Sequence, residues 1–169
     1  HALLEETFQD YIFHRGELQL EEKIFALLKE KNLTLSCVES ATAGSVLHSL
    51  TKLSGSSEVI YGGLVVYQED AKVDLTQLSR EFLAEHSTVS RETSMALAEQ
   101  GNRIMGTDIT LALTGYAEHD EEAYQGQCYV AIQTPAGMDH YYHKVGSWRR
   151  ASSRNAMRVF ALSCLLKRL

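Results

Sequence analysis

Residues 33–53 read LTLSCVESATAGSVLHSLTKL and contain three successive patterns. The run over residues 33–38 alternates and is rich in strand formers, which favours a β-strand. A polar stretch follows at residues 39–44. Apolar residues then recur at helical spacing, at Val46, Leu47, Leu50 and Leu53. The sequence here predicts a strand, a polar turn and a helix, which together form the repeating unit of α/β proteins.

The segments that flank this unit continue the alternation. A first helix ending near Asn32 is predicted by apolar residues at helical spacing, namely Leu20, Ile24, Leu27 and Leu28. Residues 59–66 predict a second strand, and the glycines at 62–63 inside it indicate a bulge or a close approach of two backbones. Short helical segments are expected over residues 70–86.

The C-terminal half begins with a longer helix, which Ser90 opens and which runs to about Met105, with Gly106 as its stop. A short apolar strand over residues 109–113 then ends at Thr114-Gly115. Residues 127–133 and 138–145 flank a Thr-Pro-Ala-Gly turn and predict a β-hairpin. An amphipathic last helix is marked by Met157, Phe160, Ala161, Cys164 and Leu165.

This element order predicts an α/β fold, a three-layer α/β/α sandwich around a mixed, mostly parallel sheet. The first three strands should be parallel, because helices connect them, and the C-terminal hairpin should be antiparallel. We interpret residues 1–19 as a lead-in or linker segment and residues 20–169 as one domain. A chain of 169 residues has the usual length of a single domain.

Composition excludes several classes of function. The net charge of −6 argues against nucleic-acid or anionic-membrane binding, which need a dominant basic surface. No apolar run approaches the length of a membrane span, and the start shows no signal-peptide pattern. Each of the three cysteines, Cys37, Cys128 and Cys164, lies in an apolar stretch, so we expect buried, reduced, non-catalytic thiols in a cytoplasmic protein.

Ligands of such sheets collect at the carboxyl ends of the parallel strands. Three polar segments are predicted there: residues 40–44, residues 67–72 and Thr114-Gly115. Ser40 has two interpretations. Either Ser40 or Thr42 caps the following helix, or the turn binds an anion or a polarised carbonyl oxygen and Ser40 is a nucleophile. Lys72 could act as the base that a serine nucleophile requires.

Metal binding is not favoured by the histidine and carboxylate pattern. His119, Asp120, Glu121 and Glu122 are contiguous, and contiguous residues rarely close a coordination shell. His140 and His143 lie at odd spacing on a predicted strand, so they should face opposite sides of the sheet.

Several of these blocks together resemble the C-terminal domain of the CinA family. Residues 38–44, VESATAG, are similar to that family's Ala-Glu-Ser-Cys-Thr-Gly-Gly signature. Residues 55–59 and 62–73 resemble its next block, and residues 89–115 contain a third. The similarity covers about residues 17–169. The segment around residues 10–13 also resembles the part that joins this domain to the larger CinA protein.

The resemblance implies an amidohydrolase that converts nicotinamide mononucleotide to nicotinic acid mononucleotide and ammonia, without a metal or organic cofactor. It assigns Ser40 as the active-site serine and Lys72 as the basic lysine. Tyr67, counted with the catalytic groups, and Thr114 would line the site. Backbone N–H groups of the Thr42–Gly44 turn would hold the developing oxyanion.

An arginine at the start of the last helix would meet the nucleotide. Arg150 is favoured because Arg150 and Arg154 keep the spacing of the family's paired arginines, with Arg149 as a close rival. The expected partners are the nucleotide substrate, an N-terminal CinA domain in a full-length bacterial protein, and further copies of the chain in a homo-oligomer.

The sequence also departs from the family pattern. Ala41 replaces a cysteine, Ala43 replaces a glycine, and residues 146–150 read GSWRR where the family has Phe-x-Gly-Asp-Arg. The glycine- and proline-rich loop after Thr114-Gly115 is here the acidic segment of residues 116–125. At ~8 Å each carboxylate would repel a phosphate by ~2 kcal/mol. The alternative function is therefore a catalytically degenerate CinA-like domain that serves binding or assembly, and a general nucleotide-binding module is a third hypothesis.

Overall fold

The computed structural model describes residues 19–146 and 149–169. Its centre is a five-stranded sheet in the order β2-β1-β3-β4-β5. The strands are β1 (Leu35–Glu39), β2 (Ile60–Val65), β3 (Ile109–Gly115), β4 (Gln127–Thr134) and β5 (Gly137–Lys144). Strand β1 pairs in parallel with both β2 and β3, whereas β4 pairs antiparallel with β3 and β5. The predicted mixed sheet is confirmed.

Helices cover both faces of this sheet. They are α1 (Leu20–Lys31), α2 (Ser45–Thr51), α3 (Glu69–Thr76), α4 (Arg80–His86), α5 (Arg91–Met105) and α6 (Arg150–Arg168), with a short 3-10 turn at Ser56–Glu58. Helices α1, α2 and α6 pack on one face, around Leu35, Leu111 and Ile132. Helix α5 covers the other face, around Val38, Ala112 and Ala131. The three-layer α/β/α sandwich follows, because neighbouring residues of each central strand point to opposite layers.

The helix signals of the sequence lie where they were expected. Helix α1 ends at Asn32, which has the left-handed φ of 53°. The Ser90 hydroxyl accepts a hydrogen bond from Thr93 N at 3.0 Å, and Gly106 (φ 63°) ends α5. Strand β3 runs two residues further than predicted because Thr114 and Gly115 pair with Tyr129 and Cys128 of β4.

Both features expected from the glycines at 62–63 are present: an irregularity in the strand pairing and a close approach of two backbones. The pairing of β1 with β2 shifts between Leu35 and Ser36, which oppose Ile60 and Gly62. A Cβ on Gly63 would lie 2.5 Å from the carbonyl oxygen of Cys37. The two strands therefore approach more closely here than any residue with a side chain would allow.

The cysteines are free and buried, as predicted. Burial raises the pKa of the Cys37 and Cys128 thiols far above the usual range, and raises the pKa of Cys164 to about 12. Thiolates, which are the reactive form, are therefore strongly disfavoured at all three positions. Within the described residues no helix is both long and apolar enough to cross a bilayer.

Candidate active site

The candidate site lies where β1, β2 and β3 end at the same edge of the sheet. Ser40 follows the last residue of β1, and its amide donates to the carbonyl of Leu113 in β3 at 3.1 Å. On the other side, Val66 N donates to the carbonyl of Glu39 at 2.8 Å. Both neighbouring strands thus fix the backbone that carries Ser40, which gives the hydroxyl a defined position.

Lys72 reaches Ser40 from helix α3. Its Nζ lies 3.2 Å from Ser40 Oγ and donates to the carbonyl oxygen of Val66 at 3.0 Å. Ser40 is 5% exposed and Lys72 is 2% exposed, so bulk water does not separate the two groups. The amine and the hydroxyl are within proton-transfer reach.

The environment of Lys72 favours its neutral form. Burial lowers the pKa of the Lys72 ammonium to about 8, and the nearby Glu69 carboxylate opposes this shift. With that pKa about a tenth of the lysine is an unprotonated amine at pH 7, and about half at pH 8. An ordinary lysine would be less than about one per cent unprotonated at either pH, so Lys72 is suited to accept a proton.

The turn after Ser40 is held by a side chain to which the sequence analysis gave no role. The Glu39 carboxylate accepts hydrogen bonds from the Thr42 hydroxyl and from the backbone N–H groups of Gly44, Val46 and Leu47. Gly44 occupies the N-cap position of α2, and no side chain of its own caps the helix. Capping by Ser40 or Thr42, one of the two interpretations, is therefore replaced by capping from Glu39.

The same contacts narrow the oxyanion hypothesis for the Thr42–Gly44 turn. Gly44 N donates to Glu39 at 2.9 Å, and Ala43 N donates to the carbonyl of Ser40 at 3.0 Å. Among residues 19–146 and 149–169, no acceptor faces the amides of Ala41 and Thr42. Thr42 is fully buried, whereas Ala41 is 6% exposed, so of these two N–H groups the Ala41 amide is the donor left for a ligand oxygen beside Ser40.

The backbone of this turn is left-handed at two successive residues, Ala43 (φ 49°) and Gly44 (φ 91°). Alanine has a Cβ that is unfavourable in this region by ~1–2 kcal/mol, whereas glycine is not penalised. Ala43→Gly should therefore raise the free energy of unfolding, by about 0.5–1 kcal/mol after the extra freedom of glycine in the unfolded chain is subtracted.

Urea denaturation measures this change. A matched control is Ala84→Gly in the exposed part of helix α4, which should instead lower the free energy of unfolding by about 1 kcal/mol. Equal destabilisation at both positions would contradict a strained Ala43.

Two arginines of helix α6 reach the site. The guanidinium of Arg150 donates to the Tyr67 hydroxyl, and Arg154 donates to the carbonyl of Thr42 at 3.1 Å. Tyr67 is 48% exposed and directly follows Val66, whose carbonyl accepts from Lys72, and Arg150 is exposed as well. Of the two rival arginines, Arg150 is the one that contacts Tyr67.

Thr114 lies at the same edge but faces inward. It is fully buried, and its hydroxyl donates to the carbonyl of Thr88 at 2.8 Å. Thr114 thereby holds the segment before helix α5 against the end of β3. Its hydrogen-bond proton is engaged by the protein, which leaves only the oxygen lone pairs for a ligand.

The acidic loop of residues 116–125 is anchored by aromatic and backbone contacts. Tyr116, His119 and Tyr124 pack edge to face with ring centroids 4.8–5.9 Å apart. Tyr116 also exchanges backbone hydrogen bonds with Gln127 and Gly126. The four carboxylates are exposed to solvent: Glu118, Asp120, Glu121 and Glu122.

The histidines of β5 face opposite layers, as predicted. His140 packs near Tyr129, with ring centroids 6.0 Å apart, whereas His143 packs against Phe160 of helix α6 at 5.1 Å. In the part of the chain that the structure describes, no three His, Cys, Asp or Glu side chains are grouped as metal ligands.

Known proteins are similar to this chain in sequence and in fold. Residues 17–169 match the model of the CinA C-terminal domain, and the chain belongs to this family. It is 34% identical over 174 residues to a CinA-like protein of Geobacter sulfurreducens, covering 99% of this chain and 41% of the relative. A CinA-like protein of Dictyoglomus thermophilum is 39% identical over 108 residues, which are 64% of this chain and 26% of the relative.

Solved structures have the same fold as this chain. The crystal structure of competence/damage inducible protein CihA from Agrobacterium tumefaciens superposes with a TM-score of 0.82 at 27% identity, covering 91% of this chain and 98% of that one. A competence damage-inducible protein A of Klebsiella pneumoniae gives a TM-score of 0.83 at 22% identity, covering 88% and 93%. The chain spans less than half the length of the curated relatives named above, so those relatives contain a further region.

Proposed function

We propose that this domain is an amidohydrolase that converts nicotinamide mononucleotide to nicotinic acid mononucleotide and ammonia. The observation that carries the proposal is the contact between Lys72 Nζ and Ser40 Oγ, 3.2 Å apart in a buried site. A serine hydroxyl is a weak nucleophile unless a base takes its proton, and a desolvated lysine amine is such a base.

The first half of the reaction forms an acyl-enzyme. Ser40 Oγ attacks the carboxamide carbon while its proton passes to the neutral Lys72 amine. The carbonyl oxygen becomes an oxyanion, which the Ala41 amide stabilises. The Lys72 ammonium then gives its proton to the amide nitrogen, the carbon–nitrogen bond breaks, and ammonia leaves.

The second half repeats the same proton path with water. Lys72 removes a proton from a water molecule that attacks the Ser40 ester, and returns it to Ser40 Oγ as the acid product leaves. The carbonyl of Val66 accepts one hydrogen from Lys72 Nζ and keeps the amine aimed at Ser40 throughout. Arg150 and Tyr67 are exposed and hydrogen-bonded to each other, and in this proposal Arg150 would pair with the phosphate ester.

Ammonia release from nicotinamide mononucleotide by the purified chain tests the proposal, with the appearance of nicotinic acid mononucleotide as the second product. An absence of both products from the folded protein would reject it. In that case the exposed acidic loop favours the second candidate, a degenerate domain kept for binding or assembly. Nucleotide binding without turnover, measured by calorimetry, would support that candidate.

The pH dependence follows from the role of Lys72 as a base. The amine must be unprotonated, so kcat/KM should rise with pH through about 8 and then level. Glu69 raises the pKa of Lys72, so Glu69→Gln should move this rise to lower pH. A rate that falls as pH increases through 8, or a midpoint that does not respond to Glu69→Gln, would contradict the assignment.

The acidic loop should weaken recognition of the phosphate ester. The four carboxylates are exposed, so water screens each of them well below the ~2 kcal/mol expected at ~8 Å. Replacing Glu118, Asp120, Glu121 and Glu122 with their amides should tighten nicotinamide mononucleotide binding by about tenfold at low salt, and by less at high salt. Calorimetric titration across a salt series measures the effect.

A control variant with the same change of net charge distinguishes repulsion of the phosphate by the loop from repulsion by the overall charge of the protein. It neutralises four exposed carboxylates on other elements, namely Glu30, Glu58, Glu85 and Glu99. Unchanged affinity in the loop variant at every salt concentration would show that the loop is remote from the ligand.

A further inference from the structure

Glu39 directly precedes Ser40 and is buried, with an exposed fraction of 1%. Its Oε2 accepts from the Thr42 hydroxyl at 2.7 Å, from Gly44 N at 2.9 Å and from Val46 N at 3.1 Å. Its Oε1 accepts from Leu47 N at 2.8 Å. One side chain therefore binds the turn after Ser40 and the first residues of helix α2 together.

All four groups that contact Glu39 are donors, so the site requires a group that only accepts. An ionised carboxylate meets this requirement with both oxygens. A carboxamide of the same shape has one accepting oxygen and one N–H₂ group, which would face at least one backbone N–H. Burial increases the effect of such a mismatch, because water cannot replace the lost acceptor.

Ser40 and Glu39 act on opposite layers of the sandwich. Side chains alternate along a strand, so Glu39 reaches helix α2 on one face while Ser40 reaches Lys72 of helix α3 on the other. The backbone between the two side chains is held by β2 and β3. The turn is joined to Ser40 on its far side, because Ala43 N donates to the Ser40 carbonyl at 3.0 Å. A shift of the turn that Glu39 anchors is thereby passed to Ser40 and changes the distance from Ser40 Oγ to Lys72 Nζ.

The turn also needs external support. Ala43 is left-handed (φ 49°), and a residue with a side chain persists in this conformation only where surrounding contacts hold it. Glu39 contacts the turn at Thr42 and Gly44, on both sides of Ala43.

We propose that Glu39 is a positioning residue that fixes the 40–44 turn and thereby holds the Ser40 hydroxyl against the Lys72 amine. The expected effect of Glu39 on kcat rests on the proposed amidohydrolase function. Its expected effect on the position and environment of Lys72 does not. The two effects are therefore measured separately.

The kinetic experiment compares Glu39→Gln with the parent chain in the ammonia-release assay. A misplacement of reacting groups by about 1 Å lowers rates by about 100-fold, so kcat should fall by that order while KM for nicotinamide mononucleotide changes little. The surface variant Glu99→Gln, which loses an exposed carboxylate of helix α5, should leave both constants unchanged.

The geometric experiment follows the Lys72 ammonium by NMR titration and needs no turnover. In the parent chain the pKa of Lys72 is about 8 because the group is buried. If Glu39→Gln releases the 40–44 turn, water reaches the Lys72 amine, and the pKa of Lys72 should move up toward 10.5. A general loss of stability without repositioning would leave the folded-state pKa where it was.

The outcomes separate the two proposals. A parent chain that releases no ammonia, together with a shifted Lys72 titration in Glu39→Gln, rejects the amidohydrolase and keeps the positioning role. Unchanged Lys72 titration, or unchanged kcat in an active enzyme, overturns the positioning role. If Glu39→Gln does not fold, Glu39→Asp takes its place, because it keeps the charge but is one methylene too short to span the same donors. It should then show the same effects in weaker form, and its failure to do so would equally overturn the proposal.

Discussion

Ser40→Ala and Lys72→Ala should each abolish ammonia release while leaving the fold intact. Loss of a single positioned oxyanion donor typically raises a barrier by ~3–4 kcal/mol, and loss of the nucleophile or its base should cost at least as much. We therefore expect kcat to fall by at least about 10²- to 10³-fold in each variant. The double variant should be no worse than either single one, because the hydroxyl and the amine act as one unit.

The single and double variants are compared in the same assay, with far-UV circular dichroism and urea denaturation as checks on folding. Ser40 has little volume to lose, so Ser40→Ala should remain close to the parent in stability. Lys72→Met is a useful companion to Lys72→Ala, because it keeps an unbranched apolar stem in the buried site and removes only the amine. Losses that simply add in the double variant would indicate two independent roles and would contradict the paired mechanism.

Topology predicted that Ser40 and the segment of residues 67–72 lie at one edge of the sheet, whereas the pairing of Ser40 with Lys72 was implied by the resemblance to the CinA family. Each residue follows a strand that the pattern identifies, and parallel strands joined by helices end at one edge of the sheet. The observed order β2-β1-β3 makes those two strands neighbours. The separation of 3.2 Å between Lys72 Nζ and Ser40 Oγ lies well within the ~6 Å beyond which proton transfer between them would fail.

The role of Glu39 could not be predicted in the same way. Helix capping is usually read from a side chain at the N-cap position, and here that position is Gly44. Glu39 reaches the helix from five residues earlier, across a turn whose shape depends on two left-handed residues. Only the folded backbone shows that this carboxylate and those N–H groups coincide.

Contacts between segments that are distant in sequence could not be predicted from the sequence pattern either. The sequence placed Thr114 at the edge of the site, but its bond to the carbonyl of Thr88 depends on how the segment before helix α5 crosses the end of β3. The choice between Arg149 and Arg150 depended likewise on the angle at which helix α6 meets Tyr67. The predicted lead-in of residues 1–19 lies almost wholly outside the described residues, and so do Ser147 and Trp148.

Gly63→Ala should lower the free energy of unfolding by about 2–3 kcal/mol, a large effect for one methyl group. The added Cβ would lie 2.5 Å from the carbonyl oxygen of Cys37 and 3.3 Å from the Leu47 side chain. The first contact is with backbone, so relief requires β2 to move away from β1. Urea denaturation measures the loss.

Gly106→Ala is the matched control for this substitution. Gly106 has a left-handed φ of 63° and no atom within 4 Å of its potential Cβ, so its cost is conformational only and should be about 1 kcal/mol. A loss at Gly63 that does not exceed the loss at Gly106 would show that the sheet accommodates the methyl group without separating.

The displacement of β2 has a second consequence, because the Val66 carbonyl that orients Lys72 lies directly after this strand. In Gly63→Ala the carbonyl should move with the strand, and kcat should fall even in protein that remains fully folded at the assay temperature. Gly106→Ala lies outside the strand pairing between β1 and β2 and should leave kcat unchanged. Activity that survives in Gly63→Ala despite the predicted loss of stability would mean that the clash is relieved on the side of β1 or Leu47, with Val66 and Lys72 left in place.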